Sequence, residues 1–233
     1  TKAVNVTQKQ QMFVIMSGMF ITFFLILYYL PNDMTFTSAM HIAGANDKMN
    51  IVDFSFDPQE KYTFWSGITG GFFLALAYFG TDQSQVGRYL SGKSVKESQM
   101  GLIMNGLLKV PMQFLILLTG VMVFVFFQFN PVPLNFNPNN KIIIEKSQYK
   151  EEYHTLEKKL EALSEDKKVI NLLYIDQLNQ DYDNPILRKE LVALSSKEKD
   201  LRDHAKELIQ KADDRSETND KDYVFFHFIL HYL

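Results

Sequence analysis

Apolar residues are concentrated in three long runs in the first part of the chain, at about residues 12–30, 63–80 and 99–129. At a rise of ~1.5 Å per residue, a helix made of each run reaches about the ~30 Å thickness of a membrane hydrocarbon core. The runs lack the amphipathic alternation expected of helices in a soluble core. The pattern therefore predicts three transmembrane helices within residues 1–130 of a polytopic, all-α membrane protein.

The segment 131–222 has a different pattern. From Lys141 to Asp222 the sequence is densely charged and contains neither Phe nor Met. Apolar residues recur there at alternating steps of four and three, which is typical of amphipathic helices that pack on each other. Glu198 stands at the one position of this spacing where an apolar residue would be expected. The recurring positions are Tyr149, Tyr153, Leu156, Leu160, Leu163, Leu187, Leu191, Leu194, Leu201, Ala205 and Leu208.

This segment is predicted to be a charged helical hairpin inserted between membrane helices. Asn184 followed by Pro185 is an N-cap and first-turn signal that starts its second helix. Two interpretations stay open: a solvated spacer that packs on itself, or an arm that binds a protein partner.

Composition narrows the class of function. The net charge of -3 gives no reason to expect nucleic acid, and the absence of Cys excludes disulfides and thiolate sites. No nucleophile motif or Gly-rich phosphate loop stands out, so an enzyme is not expected. Because the sequence begins with Thr1 and ends at Leu233 inside an apolar run, we expect a fragment of a longer chain. Residues 223–233 would be the start of a further transmembrane helix.

Basic and acidic residues predict the orientation in the membrane. Loops rich in Lys and Arg usually face the cytoplasm, and the loop 31–62 between the first two runs is instead acidic. Residues 131–222 are therefore expected to be extracytoplasmic, in a multi-pass protein of a cell membrane, with a bacterial inner membrane favoured. The basic residues flanking the runs are Lys2, Lys9, Arg88, Lys93 and Lys96.

Lys109 is the single charge in the third apolar run. If that helix starts near Gln99, Lys109 lies ~15 Å along its axis. An ammonium group in the hydrocarbon region costs about 3 kcal/mol, which favours a position facing a bundle interior or a wet cavity. Alternatively, the helix begins later with Pro111 in its first turn, and Lys109 is an interfacial anchor.

The second apolar run contains glycines near its middle. Gly70 and Gly71 are predicted to break the helix, so that the following half-helix presents its amide groups to a solute. A close helix contact through Gly67 and Gly71 is the alternative. Tyr78 lies about two turns further on and could contact a solute or anchor the helix at the interface.

The segment Tyr78 to Ser94, YFGTDQSQVGRYLSGKS, resembles the sodium:solute symporter family, which includes sodium/sugar, sodium/proline, sodium/iodide and sodium/vitamin carriers. The resemblance extends back through Tyr62-Thr63-Phe64-Trp65 and forward through Leu107-Leu108-Lys109, and covers approximately residues 1–130. It implies an inverted-repeat bundle that holds its solute between broken helices. The insertion 131–222 lies outside the resemblance.

The resemblance also implies roles for individual residues. Tyr78, with Phe79 beside it, corresponds to the aromatic position that closes the solute cavity on the cytoplasmic side. Lys109 corresponds to a lysine that sugar-carrying members place near solute hydroxyls. Ala75 stands where the bacterial sugar carrier has an asparagine, which argues against a sugar. Lys109 could equally neutralise an anion.

The sequence therefore predicts a sodium-coupled symporter that imports a small polar or anionic organic solute by alternating access. Sodium is the expected coupling ion, no other cofactor is expected, and the sodium site should lie mainly in helices outside this chain. The expected partners are the lipid bilayer, sodium and the solute. The alternative is a membrane sensor or scaffold whose outer hairpin binds a protein.

Overall fold

The computed structural model describes residues 2–49, 54–56, 63–83, 86–87 and 94–233. Its regular structure is helical, with 79% helix and no strand in these residues. The chain divides into two units, residues 1–49 with 118–233, and residues 50–117. The all-α part of the predicted fold class is confirmed, whereas the inverted repeat stays a prediction.

The helices are, in chain order, α1 (Lys2–Tyr29), α2 (Phe36–Ala45), α3 (Phe64–Leu76), a π-helical segment (Ala77–Thr81), α4 (Val95–Phe126), α5 (Pro138–Glu145), α6 (Lys150–Asn179), α7 (Pro185–Ala212) and α8 (Lys221–Tyr232). The sequence did not predict α2 and α5. The boundary between the two units falls within α4.

Among the residues that the structure describes, two helices are long and apolar enough to cross a membrane, Val6–Tyr29 and Val95–Phe126. A core helix of a soluble protein can pass the same test when it is buried. Here only 11% and 22% of the most apolar stretch of each helix is buried, which favours a membrane environment. The second predicted span, at about residues 63–80, is made of α3 and the π-helical segment, and its crossing of the membrane stays a prediction.

The first unit has a continuous apolar core where α1 and α4 end. Ile26 of α1, Ile42 of α2 and Phe126 of α4 are fully or almost fully buried in it. The Phe126 ring lies 4.9 Å from the Phe228 ring of α8, edge to face, between ring centroids. Tyr174 of α6 contributes to the same core, so the inserted hairpin shares a core with the membrane-like helices.

The hairpin has the helical pattern that the sequence predicts. Helices α6 and α7 pack against each other in antiparallel directions, since Glu152 faces His204 while Lys167 faces Glu198. The predicted inward positions are buried or half-buried, and Ile209 is a further buried residue that the heptad rhythm did not include. The buried residues of this second cluster are Leu134, Ile144, Tyr153, Leu156, Leu160, Ala205, Leu208 and Ile209.

Glu198, which occupies an apolar position of the predicted spacing, forms the centre of an ion-pair cluster. Its carboxylate accepts from Lys167 Nζ at 2.9 Å and from Arg202 Nε at 3.0 Å. Burial tends to raise the pKa of Glu198, but the two cations together lower it below its ordinary value. Arg202 also donates to the carbonyl of Leu134 at 3.1 Å, which attaches the segment after α4 to the hairpin.

The hairpin is neither a free arm nor packed only on itself, because it also contacts α2 and the loop before it. Asn179 Nδ2 donates to the carbonyl of Asp33 at 2.9 Å, and Ser38 Oγ donates to Asn179 Oδ1 at 3.4 Å. At the other side, Asp220 accepts from the backbone amide of Phe136 at 2.9 Å. The contacts of Asn179 join the insertion to the segment that follows α1, whereas the contact of Asp220 with Phe136 joins the two ends of the insertion.

Candidate functional site

The second unit carries the residues that the sequence selects as a site, and a capping box starts its first helix. The Ser66 amide donates to Thr63 Oγ1 at 3.3 Å, and the Thr63 amide donates to Ser66 Oγ at 2.9 Å. These reciprocal bonds satisfy two backbone groups that a helix leaves free at its start. Tyr62, the first residue of the Tyr62-Thr63-Phe64-Trp65 stretch, lies outside the described residues.

The helix runs without interruption through Gly70 and Gly71. The structure therefore has no break at these glycines, and the helix changes its hydrogen-bonding pattern only later, in the π-helical segment Ala77–Thr81. Each glycine costs a helix about 1 kcal/mol relative to Ala, which is less than the cost of leaving backbone groups unpaired in an apolar environment. A Cβ placed on Gly67 or Gly71 would meet nothing within 4 Å, so this structure also contains no close helix contact at either glycine.

The π-helical segment Ala77–Thr81 contains two of the predicted site residues. The Asp82 amide donates to the carbonyl of Ala77, five residues earlier, at 3.0 Å. The Tyr78 and Phe79 rings lie edge to face, with centroids 5.0 Å apart. Such segments occur often at functional sites, because the wider turn displaces side chains from their helical positions. Tyr78 is half-buried, whereas Phe79 and Ala75 are exposed.

Lys109 lies well inside α4, which begins at Val95, fourteen positions before it. At ~1.5 Å per residue this is about 21 Å along the axis. The alternative of a helix that begins near Pro111 is wrong, since Pro111 lies in the helix interior. The Lys109 side chain is exposed, and within the described residues no carboxylate lies within 4 Å of its ammonium group.

Lys109 belongs to a polar stripe on α4 that was not predicted from the sequence. Asn105 and Gln113 lie four residues before and after it, so the three side chains share one face of α4. Pro111 has no amide hydrogen and leaves the carbonyl of Leu107 without its helical donor. The i, i+4 spacing of polar residues within an apolar run is the signal that could have found this stripe.

In the described residues the predicted site is open: Tyr78 is half-buried, and Ala75, Phe79 and Lys109 are exposed. No residue of α3 is buried, and no hydrogen bond or ring contact joins Tyr78 to Lys109 within the described parts of the chain. The Ser84-Gln85 part of the family-like motif and residues 88–93 lie outside the described residues. In the described ranges, no three His, Asp or Glu side chains are grouped so that they could hold a metal ion.

Comparison with known proteins finds similarity to sodium-coupled carriers. The human sodium/iodide cotransporter is 34% identical over 64 residues, which are 28% of this chain and 10% of that protein. Sodium-coupled monocarboxylate transporter 2 of Bos taurus is 32% identical over 108 residues, 45% of this chain and 16% of that protein. A putative sodium-dependent multivitamin transporter of Drosophila melanogaster is 36% identical over 61 residues, 26% of this chain and 10% of that protein.

The chain thus spans between about a tenth and a sixth of the length of these relatives. No family model matches the chain. No solved structure matches it either. The relatives are named as transporters and not as enzymes, in agreement with the expectation from the sequence. Over a part of its length the chain is therefore similar to sodium-coupled carriers, and its resemblance to the sodium:solute symporter family is confirmed.

Proposed function

We propose that the protein to which this chain belongs is a sodium-coupled symporter that imports a small polar or anionic organic solute by alternating access. The observation that carries this proposal is the similarity to sodium/iodide, monocarboxylate and multivitamin carriers. Sodium is the coupling ion in the proposal, and no other cofactor is required. The sensor or scaffold alternative has no support from these relatives.

Lys109 is the proposed contact for the solute. An ionisable side chain in the middle of an apolar helix is costly in lipid, so its presence there favours a function. The side-chain amides of Asn105 and Gln113 lie one turn to either side of Lys109. They add hydrogen-bond donors and acceptors to the same face of α4. An anionic or hydroxylated solute that meets this face would offset part of the desolvation of the ammonium group.

Tyr78, Phe79 and Ala75 form the second part of the proposed site. The π-helical segment holds the Tyr78 and Phe79 rings edge to face, with centroids 5.0 Å apart, and this aromatic pair supports a role as a closure over the solute. Ala75, one turn earlier, offers no hydrogen bond to a hydroxyl group. The combination favours an anion over a sugar as the solute.

We further propose that the protein lies in a cell membrane, in the bacterial inner membrane, with spans at about 12–30, 63–80 and 99–129. Residues 131–222 would be extracytoplasmic, and 223–233 would begin another span. The chain has no Cys, so single cysteines can report the topology. A cysteine at the exposed position Ser196 should react with an impermeant maleimide from outside, whereas one at Ser94 should not. Reversed labelling would contradict the orientation.

Uptake into vesicles tests the function. The complete protein, reconstituted into liposomes, should accumulate labelled lactate or iodide when sodium is outside, and not when choline replaces sodium. An inward sodium gradient dissipated by an ionophore serves as the control, because accumulation must then stop. Equal uptake with sodium and choline for every solute tested would contradict the proposal.

A further inference from the structure

An open depression of about 300 Å³, called the cavity below, lies on the first unit between α2 and the inserted hairpin. Thr37, Met40 and His41 of α2 line one side, and Arg188 of α7 lines the other. Thr37, His41 and Arg188 are exposed, whereas Tyr174 of α6, which also lines the cavity, is only 1% exposed. The cavity therefore combines two residues of the insertion with residues of the loop between the first two predicted spans. It is separate in sequence from Tyr78 and Lys109.

Arg188 gives this cavity a positive charge that nothing nearby neutralises by direct contact. Within the described parts of the chain, no carboxylate lies within 4 Å of its guanidinium group. Its backbone is fixed, because the Arg188 amide donates to the carbonyl of Asn184 at 3.1 Å in the first turn of α7. Asp183 is already engaged, since it accepts from the Tyr174 hydroxyl at 2.7 Å.

The other lining residues supply both weak polar groups and apolar surface. The Thr37 hydroxyl and the His41 ring lie on the same wall of the cavity and can donate or accept hydrogen bonds. Met40, Ala45 and Met49 are apolar lining residues. Thioether side chains are adaptable, so they can pack against small apolar groups of varied shape.

We propose that this cavity binds a small organic monocarboxylate, with its carboxylate on Arg188 and its carbon chain against Met40 and Met49. A guanidinium group presents two parallel N–H donors that match the two oxygens of a carboxylate. The apolar lining favours an anion with a hydrocarbon tail over a fully hydrated inorganic anion. This binding site is additional to the proposed transport site and does not require transport.

Ligand-observed NMR tests the proposal on the full 233-residue chain in detergent micelles. Saturation-transfer difference spectra should show contact with propionate, and propionamide, which has nearly the same shape without the charge, should give no comparable signal. Arg188→Gln should weaken propionate binding about tenfold, because it removes a charge-assisted pair of hydrogen bonds. Arg215→Gln, a change at an exposed arginine outside the cavity, serves as the matched control and should bind as the unchanged chain does.

Arg188→Lys provides a second test that keeps the charge. It loses the paired donor geometry, so its propionate affinity should lie between that of the unchanged chain and that of Arg188→Gln. Circular dichroism spectra of all variants should coincide. Equal propionate signals from the unchanged chain and folded Arg188→Gln, equal signals from propionate and propionamide, or no propionate signal at all would each overturn the proposal.

Discussion

The inserted hairpin and the family-like region 63–117 are both helical, but the hairpin buries its apolar side chains whereas helix α3 of the family-like region exposes them. In the hairpin, residues such as Leu160 and Leu208 are buried between α6 and α7. In α3 no residue is buried, and Leu74 remains 71% exposed. The hairpin therefore buries its apolar face within the first unit, whereas α3 needs lipid or further protein to cover it.

The surroundings of a lysine side chain also differ between the two regions. Lys167 of the hairpin is 4% exposed, and its ammonium group is 2.9 Å from the Glu198 carboxylate. Lys109 in α4 is surrounded along the helix by exposed apolar residues such as Leu108 and Val110. A buried lysine with a fixed partner contributes to structure, whereas a lysine without an ion-pair partner in an apolar run favours a role in binding.

The largest expected effect comes from truncating a leucine in the hairpin core. Leu208→Ala should destabilise α6 and α7 by about 3 kcal/mol, because Leu208 is 1% exposed and the change leaves a cavity. The same change at the exposed Leu74 should cost less than about 0.5 kcal/mol. Hydrogen–deuterium exchange of the amides of α3, α6 and α7 in micelles measures both effects.

An equal loss of protection from the two leucine variants would show that the contrast in burial does not reflect the stability of the two regions. Leu230→Ala, at a leucine of α8 that is 63% exposed, gives a second reference for an exposed position. It should match Leu74→Ala more closely than Leu208→Ala.

The sequence predicted the hairpin well because its fold depends on local periodicity. Tyr153, Leu156 and Leu160 repeat at the steps that place them on one helix face, and the structure buries all three. The contact of the hairpin with α2 was not predictable in the same way. It depends on single polar residues such as Asn179 and Ser38, which are far apart in sequence and have no periodic signal.

The site was less predictable than the fold. An isolated charge in an apolar run made Lys109 conspicuous, and its position inside a long helix agrees with that expectation. A break of this helix was predicted at Gly70 and Gly71, because glycine is the usual weak point of a helix. The π-helical turn lies instead at residues with no special propensity, where local sequence gives little guidance.

The next effect concerns the ion pairs of the hairpin. Glu198→Gln should destabilise α6 and α7 by about 2 kcal/mol, because it leaves the ammonium group of Lys167 buried without a charged partner. Glu190→Gln, at an exposed carboxylate of the same helix, is the control and should be nearly neutral. Hydrogen–deuterium exchange of α6 and α7 again provides the measurement.

Acid should remove the same stabilisation. The pKa of Glu198 is lower in the folded chain than its ordinary value, which is about 4.3 in an unfolded chain. Its contribution is therefore complete above about pH 4.3 and is lost as the pH falls through the lowered folded value. Glu198→Gln should flatten this part of the pH dependence. An unchanged acid dependence in the variant would exclude Glu198 as its origin.

The smallest expected effect is on transport, and it tests the charge of the second region. Lys109→Ala should lower sodium-dependent uptake by the complete protein about tenfold, which corresponds to about 1.4 kcal/mol, because the solute loses a charged contact. The amount of protein in the membrane should not fall, since the change makes α4 more apolar. Uptake of labelled solute, normalised to the amount of inserted protein, is the measurement.

Lys109→Arg separates a solute contact from an anchor at the membrane interface. Arginine keeps the charge but changes the number and geometry of donors, so transport should also fall if Lys109 touches the solute. If Lys109 only reaches the interface, arginine does so equally well and transport should be unchanged. Lys96→Ala, a change near the start of the same helix, is the control and should leave uptake intact. Uptake at the unaltered rate in both Lys109 variants would remove this residue from the site and leave the exposed face of α4 to lipid or protein contact alone.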